Sequence, residues 1–292
     1  MSEATILLVV ASIVNALVLS SMYILLALGF TFLFNIMGIL NFAHGVIYMI
    51  GAYICFFLAT MVGVNQWVAM LIAVIIVGLF GIFMERFVFR PFLGNINLII
   101  VVCIGIITVL QNAISIATPY NVQVTPAFVQ GIFKVGIISI SWERLVFFFI
   151  GLGLLILVLL FINKTKQGLQ MRAVAQDMEG AVLQGINVHG VSALACVIAC
   201  ALAALAGSLM GSYLSLTPYM GSDIMIKVLE ILVLGGIGSI NGVLFAGLIV
   251  GTLDAVLPIM VSGTATQAIM MLVIIIILLF KPQGLFGKEV RA

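Results

Sequence analysis

Apolar residues run along this chain in long blocks, most of them near or above the roughly twenty residues that a helix needs to cross the hydrocarbon core of a bilayer. The blocks fall at 5–34, 44–62, 67–84, 97–117, 142–162, 191–216, 226–256 and 265–280. They predict an all-α polytopic transmembrane bundle of about eight spans. No charged, Ser-rich or Pro-rich linker divides them, so 1–292 reads as a single transmembrane domain. Block 226–256 is too short for two ordinary spans at about 1.5 Å of rise per residue. Its middle, LGGIGSINGV (234–243), holds four glycines and two polar residues. Glycine weakens helix regularity, and irregular backbone at membrane depth survives only inside protein or beside a water-filled cavity. The pattern predicts two short helices meeting at this break, with one tilted span beside a misjudged neighbour as the alternative.

GILNFAHGVIY (38–48) interrupts the pattern in the same way, with Asn41 and His44 between Gly38 and Gly45 and no charge. It reads either as a plain interhelical loop or as a second broken helix. Transporters repeatedly aim the ends of discontinuous helices at their substrate, often in corresponding halves of the chain. On that reading Asn41, His44, Ser239 and Asn241 are candidates for the lining of a translocation path.

Composition and charge sharpen the picture. The chain is 65% hydrophobic and 7% charged, outside the range of soluble domains. Glu3 and the lack of early basic residues argue against a cleaved signal peptide. All four cysteines (Cys55, Cys103, Cys196, Cys200) lie in apolar blocks, where Cys acts as a small hydrophobe. No disulfide, metal or redox role is expected of them. Lys and Arg accumulate on the cytoplasmic side of membrane proteins. Arg86, Arg90, Lys164, Lys166, Arg172, Lys281, Lys288 and Arg291 define that side here, against Lys134, Arg144 and Lys227 opposite. The C-terminus is then cytoplasmic and 118–141 an external loop.

The rest of the polar chemistry is sparse. His44 and His189 are far apart, with no acidic or Cys neighbours at metal-ligand spacing. No G-x-S-x-G and no phosphate-binding loop occurs; GLFGKE (284–289) lacks the glycine spacing and the hydroxyl. No catalytic residue, metal site, chain-bound cofactor or nucleic-acid partner is expected, and any ATP hydrolysis belongs to another polypeptide. Lys227 and Glu230 lie three apart and read as a structural pair, ahead of a proton relay with Asp223 and Asp254. Asp223 reads as part of the external loop. Small residues recur every fourth position at Ala203, Gly207 and Gly211, and at Gly247 and Gly251. Such stripes let helices approach closely in lipid.

The segment 163–190 differs from everything around it. It gathers Lys164, Lys166, Arg172, Asp177 and Glu179 between two apolar spans and has helical spacing from Leu169 to Leu183. It predicts one or two short cytoplasmic helices, closed by Gly185, that serve as a docking element.

Five stretches resemble the signatures of bacterial ABC importer permeases for branched-chain amino acids. They are MYILLALGFTFLFNIMGILNFAHGVIYMIGAY (22–53), ERFVFRPFLG (85–94), TKQGLQMRAVAQDMEGAVLQGINV (165–188), LGGIGSINGVLFAGLIVG (234–251) and KPQGLFGK (281–288). They stand in the family's order and span nearly the whole chain. The resemblance implies a permease in a bacterial or archaeal plasma membrane that moves leucine, isoleucine or valine. Its implied partners are a second related permease, two ATP-binding subunits that use the ATP, and a periplasmic amino-acid-binding protein. It places Arg172, Ala173, Asp177, Glu179, Ala181 and Gly185 in the ATPase-coupling loop. Urea, short amides and other amino acids are the alternative cargoes. An ion-coupled carrier is a rival of another class, and a membrane-embedded enzyme, lacking clustered acids or histidines, is a weaker one.

Overall fold

A computed structural model describes residues 3–118, 123–135 and 138–287. It is helical nearly throughout, as the apolar blocks predict. The helices are α1 (Glu3–Met37), α2 (His44–Thr60), α3 (Gln66–Phe83), α4 (Ile96–Ala117), α5 (Trp142–Lys164), α6 (Lys166–Gln176), α7 (Met178–Leu183), α8 (Val188–Tyr213), α9 (Met220–Gly235), α10 (Ile240–Met260) and α11 (Gly263–Phe280). Among the described residues, six helical stretches are long and apolar enough to cross a membrane, and α2 and most of α11 form two shorter apolar helices. Lys288 and Arg291, counted above for orientation, lie outside the described residues.

The chain divides into two compact units, each assembled from separate stretches. One comprises Leu28–Pro126 and Ile156–Ile226. Its centre is α8, against which α2 and α3 pack. Small residues make that packing possible. A side chain at Gly207 would strike the Tyr48 carbonyl, one at Gly51 the backbone of Ala204, and one at Gly81 the carbonyl of Cys196. The Gly207 stripe is therefore used inside the unit, as a close helix crossing. Beyond α3 the chain widens into a π-helical turn, Met84–Phe89, before a short 3₁₀ turn, Arg90–Phe92. There the buried Glu85 carboxylate accepts a two-pronged contact from Arg90, at 3.0 Å from Nε and 2.8 Å from Nη2. Such bidentate pairing fixes geometry as well as charge.

The other unit comprises the described parts of Met1–Ala27, Ala127–Leu155 and Lys227–Ala292. Here the second small-residue stripe meets α1. Gly247 faces Ile24 and Gly251 faces Ser20, each with no room for a Cβ. Farther along, the same two helices line an apolar groove of about 420 Å³ that includes Val9, Ile13, Leu17, Val256 and Met260. The region expected to be an external loop contains an antiparallel pair, β1 (Ile132–Val135) and β2 (Ile138–Ser141), in register from Ile132 opposite Ser141. β2 leads directly into α5, whose Glu143 accepts the Phe128 peptide N–H at 2.9 Å. Residues 119–122 and 136–137 of that loop lie outside the described residues.

Block 226–256 resolves differently from expectation. Its helices start earlier and end later: α9 begins at Met220, α10 ends at Met260, and the interruption between them is short. At about 1.5 Å per residue, the 21-residue α10 is long enough to span a hydrocarbon core by itself. Asp223 falls in the first turn of α9, not in a loop.

Candidate translocation and coupling sites

Both predicted interruptions exist. In the first, α1 stops at Met37 and Gly38 takes a positive φ of 66°, a conformation that suits glycine. After a tight turn α2 begins at His44, whose peptide N–H donates to the Asn41 carbonyl at 3.1 Å. Asn41 and His44 are brought together here, both fully buried. The His44 ring meets Phe30 edge-on at 6.0 Å, and Asn41 Oδ1 accepts the Cys103 thiol of α4 at 3.7 Å. No side chain caps α2: its N-cap is Ala43, and its first turn has no acidic residue.

The second interruption, Gly236–Ser239, is built otherwise. Gly236 and Gly238 both adopt positive φ, 93° and 85°. Ser239 caps α10 by accepting the Gly242 N–H at 3.0 Å, and Asn241 is exposed in the first turn. The end of α9 is closed by the segment that follows α11. Leu285 and Phe286 donate their peptide N–H groups to Leu234 and Gly235 at 2.8 and 3.1 Å, satisfying carbonyls that a helix end leaves open. A side chain at Gly236 would strike Gly287, and one at Gly284 would strike Gly236. Phe245 and Phe286 stack at 5.1 Å over the same spot. Two separate sequence signatures, 234–251 and 281–288, thus form one joint, beside the exit of α11. Asn41 and His44 belong to one unit, and Ser239 and Asn241 to the other.

The charges of α9 and α10 form a cluster. Lys227 Nζ lies 2.9 Å from Asp254 and 3.9 Å from Glu230, and the Tyr23 hydroxyl donates to Asp254 at 2.6 Å. The Lys227–Glu230 pair was legible from its spacing. Asp254 as the nearer partner and Tyr23 as a donor were not, because both are distant in sequence. Mutual pairing is how ionisable groups persist within spans.

The charged hairpin forms two helices, α6 and α7, that pack on α8. Its turns are fixed by three successive caps. Thr165 accepts the Gly168 N–H at 3.0 Å, Asp177 that of Gly180 at 3.0 Å, and Asn187 that of Gly190 at 3.1 Å. Gly185, at φ 78°, ends α7. The six candidate coupling residues therefore divide by what they touch. Asp177 is a helix cap, Ala181 is buried, Ala173 is half-buried and Gly185 makes the turn, whereas Arg172 and Glu179 stand exposed. Beside them the apolar side chains of Leu169, Met178, Val182 and Leu183 are exposed too. Charge alone did not single these out, although exposed leucines on a charged hairpin are the available signal.

A family profile described as "Branched-chain amino acid transport system / permease component" matches residues 12–279. The chain belongs to this permease family. It is accordingly a multi-pass membrane permease, one component of a transport system. Among curated relatives, it is 34% identical to the high-affinity branched-chain amino acid transport system permease protein BraD of Pseudomonas aeruginosa, covering 94% of this chain and 95% of that one. It is 33% identical to the corresponding LivH proteins of Salmonella typhimurium and Escherichia coli K12, over 94% of each chain. No solved structure matches this permease.

Proposed function

We infer that this permease is the membrane subunit of an ATP-driven importer for leucine, isoleucine and valine. Its relatives BraD and LivH, similar from end to end, are described as high-affinity branched-chain amino acid permeases, and this full-length likeness carries the reading. Two ATP-binding subunits grip α6 and α7 from the cytoplasm and hydrolyse the ATP. A second, related permease completes the path, and an extracytoplasmic amino-acid-binding protein delivers the cargo. The C-terminus lies on the cytoplasmic side with Arg86, Arg90 and the 163–190 hairpin, and 1–292 works as one permease domain. Asn41, His44, Ser239 and Asn241 lie along or beside the path.

The capped geometry of the hairpin supports its assignment as the motor contact. A rigid element bearing exposed Arg172, Glu179 and Leu183 passes a push from the motor to α8, on which it packs. Nucleotide-driven closure then shifts the permease between its inward- and outward-open populations. Affinity purification of the tagged permease from native membranes tests the assembly. Recovery of two ATPase copies per permease pair is the expected result, and recovery of the permease with no ATPase contradicts it. Glu179→Lys should lower ATPase recovery or uncouple hydrolysis from uptake while leaving membrane insertion unchanged. Normal uptake and normal ATPase recovery in that variant would remove the hairpin from the coupling path.

A further inference from the structure

A zwitterionic amino acid crossing an apolar slab needs a place for its carboxylate, and the α1–α2 interruption has the chemistry for one. Its depth follows from neighbours within the same unit. A Cβ at Gly29 would lie 3.2 Å from Ala199 Cα and 3.3 Å from His44 Cε1. Ala199 is near the middle of α8 (Val188–Tyr213), so the start of α2 is level with the middle of a membrane-length helix. The first turn of α2 is a helix N-terminus with no side-chain cap and no acidic residue. The His44 and Ile47 N–H groups are taken by the Asn41 and Ala43 carbonyls, so the turn presents the N–H groups of Gly45 and Val46 and the positive end of a 17-residue helix dipole. The first turn of α9 presses against it, with Gly221 on Gly45 and no space for a side chain at either position.

The second observation is independent of the helix. Asn41 is fully buried, and the Cys103 thiol on its Oδ1 fixes which way the carboxamide faces. Its Nδ2 then has no acceptor among the described residues. A buried donor without a partner is costly and is kept where something else supplies the acceptor. Asn41 Nδ2 and the α2 terminus both offer donors, and neither offers negative charge. Helix N-termini of this kind bind anions, and discontinuous transporter helices direct them at substrate carboxylates.

We propose that the α1–α2 interruption is a carboxylate station, where Asn41 Nδ2 and the Gly45 and Val46 N–H groups of the first turn of α2 hold the α-carboxylate of the transported amino acid. This rests on the transport function inferred above and adds the substrate group that is read and the atoms that read it.

The test uses the complete complex in proteoliposomes, comparing wild type, Asn41→Ala and Asn41→Asp. Complex recovery and ATPase rate serve as controls for folding. The expected result is ATP-dependent leucine uptake lowered about tenfold in Asn41→Ala, the scale of one hydrogen bond to a charged group. Asn41→Asp should fall further, because its charge repels the carboxylate. Should Asn41→Asp fail to assemble, Asn41→Ala carries the test alone. A second readout is thermal stabilisation of the purified complex without binding protein. Millimolar leucine should raise the wild-type melting temperature but not that of Asn41→Ala, and leucine amide should raise neither. Wild-type uptake in Asn41→Ala, or equal stabilisation by leucine and its amide, overturns the station and leaves the transport function standing. A wild-type complex that imports no branched-chain amino acid with ATP refutes both.

Discussion

The two helix interruptions look alike in sequence, each a short polar insertion among glycines, yet they are built to opposite rules. Gly236–Ser239 is a closed joint: Ser239 caps α10, the 285–286 peptide closes α9, and Phe245 stacks on Phe286. The 38–43 interruption is left open, with α2 uncapped and Asn41 holding an unmatched donor in a fully buried position. A joint whose helix ends are capped holds helices together. One with unmet donors is poised for something that comes and goes. Hydrogen-bond completeness separates the two, where glycine content does not.

That contrast can be broken by substitutions that affect stability at one interruption and transport at the other. The largest effect on stability is expected in the charge cluster that joins α9 to α10. Lys227→Met leaves Asp254 and Glu230 without their cation; the pair is partly buried, so the loss approaches the roughly 3–5 kcal/mol of a fully buried one. It should appear as a marked fall in melting temperature and poor recovery of the complex. An unchanged melting temperature would mean that the cluster is solvated and weak. Next comes Gly236→Ala, which combines a positive φ of 93° with contact against Gly287. Strain and overpacking together should cost about 2–5 kcal/mol, read by thermal unfolding in detergent.

Ser239→Ala removes a cap and should cost about 1 kcal/mol, with leucine uptake per recovered complex unchanged. Asn41→Ala at the open interruption should show the reverse pattern. Deleting a donor that has no partner costs little stability, so its melting temperature should stay within the range of wild type while uptake falls. Equal loss of stability in the two variants would erase the distinction. At the closed joint the smallest effect belongs to Phe286→Ala, which loses a half-exposed aromatic stack worth about 0.5 kcal/mol, the low end for aromatic pairs. Thermal unfolding compared with Phe245→Ala and the double variant would isolate that term.

Much of this was legible in the sequence, because the signals were local. Apolar block length gave the spans, glycine clusters gave both interruptions, and the charge run of 163–190 gave the short cytoplasmic helices. The small-residue stripes announced close crossings, and Gly207 and Gly251 make them. What stayed hidden depends on residues far apart in the chain. The closure of Gly236 by the 284–287 turn, the ion pair from Lys227 to Asp254, and the Cys103 contact that leaves Asn41 with a free N–H each join separate helices. Asp223, read as part of the external loop, instead stands in the first turn of α9, where Gly221 packs against Gly45 of another helix.

The most direct test is leucine accumulation in proteoliposomes, measured for the permease alone and for the complete complex, with and without ATP at the motor side. Accumulation only in the complete complex, and only with ATP, is the predicted result. Uptake by the permease alone that survives removal of nucleotide and collapses with an ionophore would show an ion-driven carrier and contradict the account.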